Sequence, residues 1–151
     1  MRFYKAICFC FFTILCSCAQ KSNNTNSSES TLSPKVDSLY KLVVAKHDEV
    51  MPKTSDISKL SNILRKQLKN EKESAVKEKI LNLLQGLQSG HDAMFDWMGT
   101  FKNLHLDKDF YEKKSERELM KYLSEEEIKI DRVAKLMLES IGNAELFLKD
   151  K

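Results

Sequence analysis

The stretch PKVDSLYKLVVAKHDEV, residues 34–50, decides the fold of this chain. Ser33 provides a hydroxyl suited to capping a helix, and Pro34 fills the first helical position, where its missing N–H costs nothing. The valines of the stretch recur every seven residues, which places them on one helical face: Val36, Val43 and Val50. The pattern predicts an amphipathic helix that begins at Pro34.

The same seven-residue period continues beyond this stretch. Ile57 and Leu64 extend the valine series without a change of phase, although Pro52 lies in its path. A proline inside a helix removes one hydrogen bond and crowds the preceding turn. We therefore expect one long first helix that bends near residues 48–54 and ends at a reversal beginning at Asn70.

The second predicted helix includes Gly86 and Gly90, which weaken a helix by about 1 kcal/mol each and so indicate close packing or a bend. Its apolar residues recur at spacings of three, four and seven: Val76, Ile80, Leu83, Leu87, Met94, Trp97 and Phe101. Residues 102–114 are expected to form a loop that packs partly against the helices.

The third predicted helix has two candidate starts, because Ser115 and Ser124 each fit the capping-box pattern. Its apolar stripe reaches the end of the chain: Leu119, Leu123, Ile130, Val133, Met137, Ile141, Ala144 and Leu148. Strand-like alternation is missing from the sequence. With a start at Ser115 the helices have similar lengths, which predicts an all-α, antiparallel up-down-up three-helix bundle over residues 33–151.

Residues 1–17 have the features of a bacterial lipoprotein signal peptide. An apolar run at residues 6–16 follows two basic residues and is too short to span a bilayer as a helix. The run ends in LCSC, where Leu15 lies three residues before Cys18 and a small serine lies directly before it. We therefore expect cleavage before Cys18 and attachment of lipid to its sulfur.

Residues 18–32 are predicted to be the lipidated cysteine and a disordered tether. The sequence AQKSNNTNSSESTL, residues 19–32, is rich in Ser, Asn and Thr and has too few apolar side chains to offset the entropy of ordering it. Such a coil reaches on the order of 20 Å. Of the 4 cysteines, only Cys18 lies beyond the signal, so we expect no disulfide within the mature chain.

The charge balance argues against a nucleic-acid partner. The chain has 25 basic and 22 acidic side chains, and removal of Arg2 and Lys5 with the signal lowers the net charge from +3 to about +1. The remaining charges alternate in sign and form no basic stripe, so they are expected to lie on solvated helix faces.

Two similar phrases, HDEVM from His47 and HDAM from His91, lie on the first and second predicted helices. A hairpin that turns near residue 71 places His47 opposite residue 95 and Met51 opposite His91. Imidazole and thioether groups suit copper(I) or haem, so we consider a metal or haem site with these ligands: His47, Met51, His91 and Met94. In the alternative interpretation the methionines fill the core and the histidines lie at the edge of the helix stripes.

Motifs for catalysis are missing from the sequence. The carboxylates Asp48, Glu49, Asp92 and Asp96 suggest a di-iron site, but the Glu-x-x-His pairs that such bundles use do not occur. Neither a nucleophile motif nor a glycine-rich phosphate loop is found. The sequence therefore predicts a protein that is not an enzyme.

Four aromatic residues near the end of the second helix are candidates for binding a partner: Trp97, Phe101, Phe110 and Tyr111. In the alternative interpretation they form core with one aromatic at the rim.

Three phrases, HDEVMPK at 47–53, DAMFDWM at 92–98 and SIGNAE at 140–145, together resemble a family of small lipoproteins of Flavobacterium-type bacteria. Members are sometimes labelled viral A-type inclusion protein, a label that implies no viral role. The resemblance covers most of the mature domain and implies a cell-envelope location and a helical domain. It carries over no assignment of catalytic or binding residues. The family pattern has Asp where this chain has His91, which weakens His91 as a ligand.

An anchor and tether beside long amphipathic helices predict a lipid-anchored, non-enzymatic binding or interaction module of the cell envelope. We expect it to contact the membrane through its lipid and to bind another envelope protein. Ala19, in place of an aspartate that retains some lipoproteins at the inner membrane, favours the outer membrane, facing the periplasm. The alternative function is periplasmic copper or haem binding.

Overall fold

The computed structural model describes residues 32–150, and these residues form helices joined by short connections. The helices are α1 (Pro34–Val50), α2 (Lys53–Asn70), α3 (Ser74–Thr100), α4 (Lys108–Glu112) and α5 (Glu116–Lys149). Within residues 32–150 no strand is present, so the all-α prediction is confirmed for this range. The predicted signal peptide, Cys18 and all of the tether but Leu32 lie outside the described residues.

The predicted first helix is divided at Pro52 into α1 and α2. Proline has no N–H to continue the helical ladder, and a bond over three residues bridges the break, since the Thr54 N–H donates to the Met51 carbonyl at 3.1 Å. Met51 and Pro52 keep right-handed helical backbones, with φ of −52° and −59°. The predicted number of helices is therefore wrong, and the expected bend is a short interruption of the hydrogen bonding.

Helix α5 begins after Ser115, which decides between the two candidate capping boxes. The Glu118 N–H donates to Ser115 Oγ at 3.4 Å, and the Ser115 N–H donates to the Glu118 carboxylate at 2.9 Å. The hydrogen bond from the Ser115 hydroxyl, followed by that from its backbone, holds the pKa of Glu118 below its usual value. Ser124 lies inside the same helix.

Contacts between the long helices show how closely they pack. Lys46 of α1 donates to Glu127 of α5 at 2.9 Å and to Asp131 at 2.8 Å. A Cβ added at Gly90 of α3 would lie 3.2 Å from Met137 Cα of α5. The close packing predicted from Gly90 is therefore confirmed.

Two groups of buried apolar side chains hold the helices together. The main core joins α1, α2, α3 and α5 through Val43, Val50, Ile57, Leu60, Leu64, Ile80, Leu87, Met94, Trp97, Ile130, Val133, Met137, Ile141, Ala144 and Phe147. The tyrosine core joins α1, α4 and the start of α5 through Val36, Tyr40, Tyr111, Leu119 and Leu123. Phe101, directly after α3, packs against both cores. Every member of the seven-residue series is buried in one of them.

None of the helices described between residues 32 and 150 combines the length and apolarity needed to cross a membrane.

Candidate binding pocket

Three tyrosine hydroxyls hold the segment after α3 against the helices. The Lys102 N–H donates to the Tyr122 hydroxyl at 2.7 Å, and the Leu104 N–H donates to the Tyr40 hydroxyl at 3.1 Å. The Tyr111 hydroxyl in turn donates to the Lys102 carbonyl at 2.5 Å. An irregular segment needs such partners because its backbone groups lack helical ones.

Burial of these phenols makes them harder to ionise. Desolvation is the main cause of the rise in the pKa of Tyr122 to about 12. Desolvation also raises the pKa of Tyr111 far above its usual value. Both phenols are therefore neutral near pH 7, which Tyr111 needs in order to donate its proton to a carbonyl.

Side chains within the loop fix its tip. The Asp107 carboxylate accepts from the Asn103 N–H at 2.9 Å. Asn103 Oδ1 accepts from the His105 N–H at 2.8 Å and from the Leu106 N–H at 3.3 Å. These bonds present Leu106 to solvent with 86% of its surface exposed, the largest value among the exposed large apolar residues described.

Leu106 is one wall of a half-open pocket of about 510 Å³ between α1, the end of α3 and the loop. On the α1 side the pocket is lined by Val44, His47 and Asp48. Met98 of α3 lines it as well and is 41% exposed. This volume lies within the range of about 300–1,000 Å³ typical of small-ligand sites.

Two aromatic rings at the pocket each leave a nitrogen without a hydrogen-bond partner. His47 stacks on Trp97 with ring centroids 5.5 Å apart, and His47 Nδ1 lies 2.9 Å from an Asp48 carboxylate oxygen. His47 Nε2 and Trp97 Nε1 are buried and unpartnered. Among the described residues only two other buried side-chain atoms share this condition, on Gln67 and Glu126. Unpaired buried polar groups are costly, so a hydrogen-bonding group that reached these two nitrogens would be stabilised there.

The aromatic residues predicted to bind a partner lie mostly inside the molecule. Trp97 and Tyr111 are only 6% and 4% exposed, while Phe101 and Phe110 are half-buried. The apolar side chains at the pocket rim are instead Met98 and Leu106. Sequence reasoning missed them, because neither belongs to the helical apolar stripe; the turn residues Asn103 and Asp107 were the signal that a structured loop presents Leu106.

The structure brings His47 and His91 into different pockets. His91 lies with Ser61 and Arg65 beside α2, where its Nδ1 is 3.3 Å from an Asp92 carboxylate oxygen. Met94 is fully buried, and Met51 is half-buried against the main core. Both methionines therefore take part in packing.

The register of the hairpin explains where His47 lies. Helix α2 ends at Asn70 and α3 begins at Ser74, which centres the turn on Lys72 rather than on residue 71. This shift of one residue moves the partner of His47 by two residues, from residue 95 to Trp97, as the ring stacking shows.

The described residues contain no group of three or more His, Cys, Asp or Glu side chains arranged for a metal ion. The carboxylates of Asp48 and Asp92 each lie within hydrogen-bond distance of Nδ1 of the histidine that precedes them. The copper or haem site stays a prediction. Its test is titration of the protein with copper(I) and with haem; unchanged affinity in a His47→Ala, His91→Ala double variant would remove it.

No protein-family model, curated protein or solved structure matches this chain. The proposals below therefore depend on the residues and their geometry alone.

Proposed function

We propose that this chain is a lipid-anchored cell-envelope protein whose helical domain is a non-enzymatic binding module for another envelope protein. One observation carries the proposal: the exposed Leu106 is held on a hydrogen-bonded loop at the rim of a pocket. Leu106 and the partly exposed Met98 line the same pocket, and adjoining exposed apolar side chains are typical of an interaction surface.

The energetics favour binding at this rim. Burying a leucine side chain against a partner contributes about 1.5–3 kcal/mol, and Met98 adds a second apolar contact. The loop is already fixed through Asn103 and Asp107, so little conformational entropy remains to be lost on binding.

The proposed architecture is an up-down-up bundle of three rods, in which α1 and α2 together form the first rod. Two contacts support it. Between α1 and α5 the residue numbers of neighbouring pairs increase together, as expected for parallel helices. Val36 and Leu119 line one pocket, and Lys46 bonds to Glu127. Between α3 with the residue after it and α5, the residue numbers change in opposite directions, as expected for antiparallel helices. Phe101 stacks on Tyr122, and Gly90 lies against Met137. This arrangement would place the pocket where α3 ends, beside the second half of α1.

The proposed anchor is the lipid on Cys18, after cleavage of residues 1–17. The polar tether up to residue 32 joins that anchor to α1, which lets the module reach on the order of 20 Å from the bilayer. We propose the outer membrane, on the periplasmic side, as its location. Two or three acyl chains are needed, because a single chain holds a protein only marginally.

Site-specific photo-crosslinking in intact cells tests the binding surface. A photoreactive amino acid at position 106 is expected to give a discrete crosslinked partner at native abundance. The same amino acid at Leu81, which is 52% exposed on the first half of α3, is the matched control. Equal products from both positions, or none at position 106, would remove the proposal.

Metabolic labelling with palmitate tests the anchor separately. Cys18→Ser is expected to abolish labelling, whereas Cys16→Ser, two residues earlier, is expected to keep it. Labelling that persists in Cys18→Ser would contradict the proposed lipidation site.

A further inference from the structure

The geometry points to the chemistry of what enters this pocket: we propose that it accepts a tyrosine side chain of the partner protein. The inference rests on the proposed function, because it names the group that the binding module recognises.

The unpartnered nitrogens define the polar part of the ligand. Asp48 accepts only, so His47 Nδ1 carries the proton, and in the neutral ring Nε2 is an acceptor. The indole of Trp97 is a donor only. A group that serves both must donate and accept, which a hydroxyl does and which a carboxylate, an ammonium or a guanidinium does not.

The walls define the apolar part. Val44, Met98 and Leu106 leave a space much larger than a hydroxyl alone requires. Methionine sulfur makes favourable contacts with aromatic ring edges. A ligand reaches the two buried nitrogens only when lining side chains move, and Met98 has a side chain flexible enough for such a movement. An aromatic ring that carries a hydroxyl matches both the walls and the nitrogens.

The charges at the rim select an uncharged ligand. Asp48 and Asp107 both line the pocket, and Lys102, its basic residue, lies 3.5 Å from the Asp107 carboxylate. The pocket therefore offers an anion no lysine free of a carboxylate partner. A cation placed against the buried nitrogens would meet no carboxylate that lacks a partner. The cost of removing the cation from water would therefore not be offset.

Trp97 can report binding at the pocket, because it is the single tryptophan of the chain and gives one indole N–H signal in a nitrogen–proton NMR spectrum. The mature chain with Cys18→Ser is titrated with p-cresol, the analogue of a tyrosine side chain, and with toluene, which lacks only the hydroxyl. We expect p-cresol to bind about five- to tenfold more tightly and to move the Trp97 indole proton downfield. Equal or weaker binding of p-cresol, or an indole signal that p-cresol leaves in place, would overturn the inference.

Two variants separate the polar from the apolar contribution. His47→Phe keeps a ring against Trp97 and removes the acceptor, so it is expected to reduce the preference for p-cresol over toluene, while the Trp97 N–H can still donate to the hydroxyl oxygen. Leu106→Ala changes an exposed residue and is expected to weaken both probes alike. A His47→Phe variant that retains the p-cresol preference would contradict the assigned role of Nε2.

Crosslinking in intact cells tests the tyrosine assignment separately from the proposed binding function. A partner captured through position 106 at a segment that contains a tyrosine supports both. A partner captured at a segment without a tyrosine leaves the binding module in place and overturns the tyrosine assignment.

Discussion

The main core and the tyrosine core stabilise the same molecule by different means. Most main-core side chains are aliphatic, come from four helices and make no directional bonds. The tyrosine core gains Tyr40 from α1 and Tyr111 from α4, and their hydroxyls bond to the backbone of the segment after α3. Aliphatic packing holds helices together, whereas phenols both pack and satisfy irregular backbone.

This difference explains where the candidate pocket lies. A core made from helix stripes leaves few open concave surfaces, because interiors pack densely. The loop that Tyr40, Tyr111 and Tyr122 hold in place forms a half-open pocket together with α1 and the end of α3. Breaking each core separately should therefore damage different properties of the protein.

The largest expected effect belongs to the main core. Leu87→Ala removes a fully buried side chain and should lower the free energy of unfolding by about 2–5 kcal/mol. Urea denaturation measures the loss, with Leu81→Ala on the exposed side of the same helix as the control, expected within about 0.5 kcal/mol. Similar losses for the two variants would contradict the assignment of Leu87 to the core.

The second-largest loss of stability is expected from a change in the tyrosine core. Tyr111→Phe leaves the Lys102 carbonyl without its 2.5 Å hydrogen bond and should cost about 1–3 kcal/mol. Faster hydrogen exchange at the Leu106 amide should accompany the loss, because the loop loosens. If Leu87→Ala gave the same local exchange pattern, the two cores would not be separable.

Because α3 and α5 pack tightly at Gly90, adding a methyl group at this position should lower the stability of the protein. Gly90→Ala forces a Cβ to within 3.2 Å of Met137 Cα, and overpacking of this kind costs about 1–2 kcal/mol despite the better helix propensity of alanine. Gly142→Ala, with open space around its Cβ, should instead stabilise the protein by up to about 1 kcal/mol. Thermal unfolding of both variants should show shifts of opposite sign.

Alkaline pH should act on Tyr122, which packs against the tyrosine core. The pKa of Tyr122 is raised to about 12 in the folded protein, so between the unfolded value near 10 and 12 the folded state binds more protons than the unfolded state. The contribution of Tyr122 to the free energy of unfolding is fully present below pH 10 and is lost as pH rises through 12. The loss is on the order of 1 kcal/mol, after allowance for solvent screening of a partly exposed ring. Tyr122→Phe should flatten this part of a stability–pH curve, and an unchanged slope would count against the assignment.

The smallest effect concerns neither core. Lys46 of α1 donates hydrogen bonds to Asp131 and Glu127 of α5, and these bonds, the one to Asp131 first, raise the pKa of Lys46. Because these side chains are partly exposed, Lys46→Met should cost less than about 1 kcal/mol, and the loss should shrink in high salt. A large loss that is insensitive to salt would mean that Lys46 contributes through packing instead.

The sequence predicts the main core better than the tyrosine core. The seven-residue series from Val36 to Leu64 is buried throughout, and Gly90 marks a close approach of two helices, because periodicity and the absence of a side chain are local properties. The interruption at Pro52 was expected only as a bend. One residue of error at the α2–α3 turn was enough to misplace the partner of His47 by two positions.

The sequence by itself determined that the described chain is helical, where α1 starts and which helical faces are apolar, since these depend on residues a few positions apart. Only the tertiary structure decided that three tyrosines hold one loop, that Leu106 remains exposed, and that His47 and Trp97 share a pocket. Those contacts join residues up to 64 positions apart, such as Leu104 and Tyr40, and no local pattern specifies which distant groups will satisfy each other's hydrogen bonds.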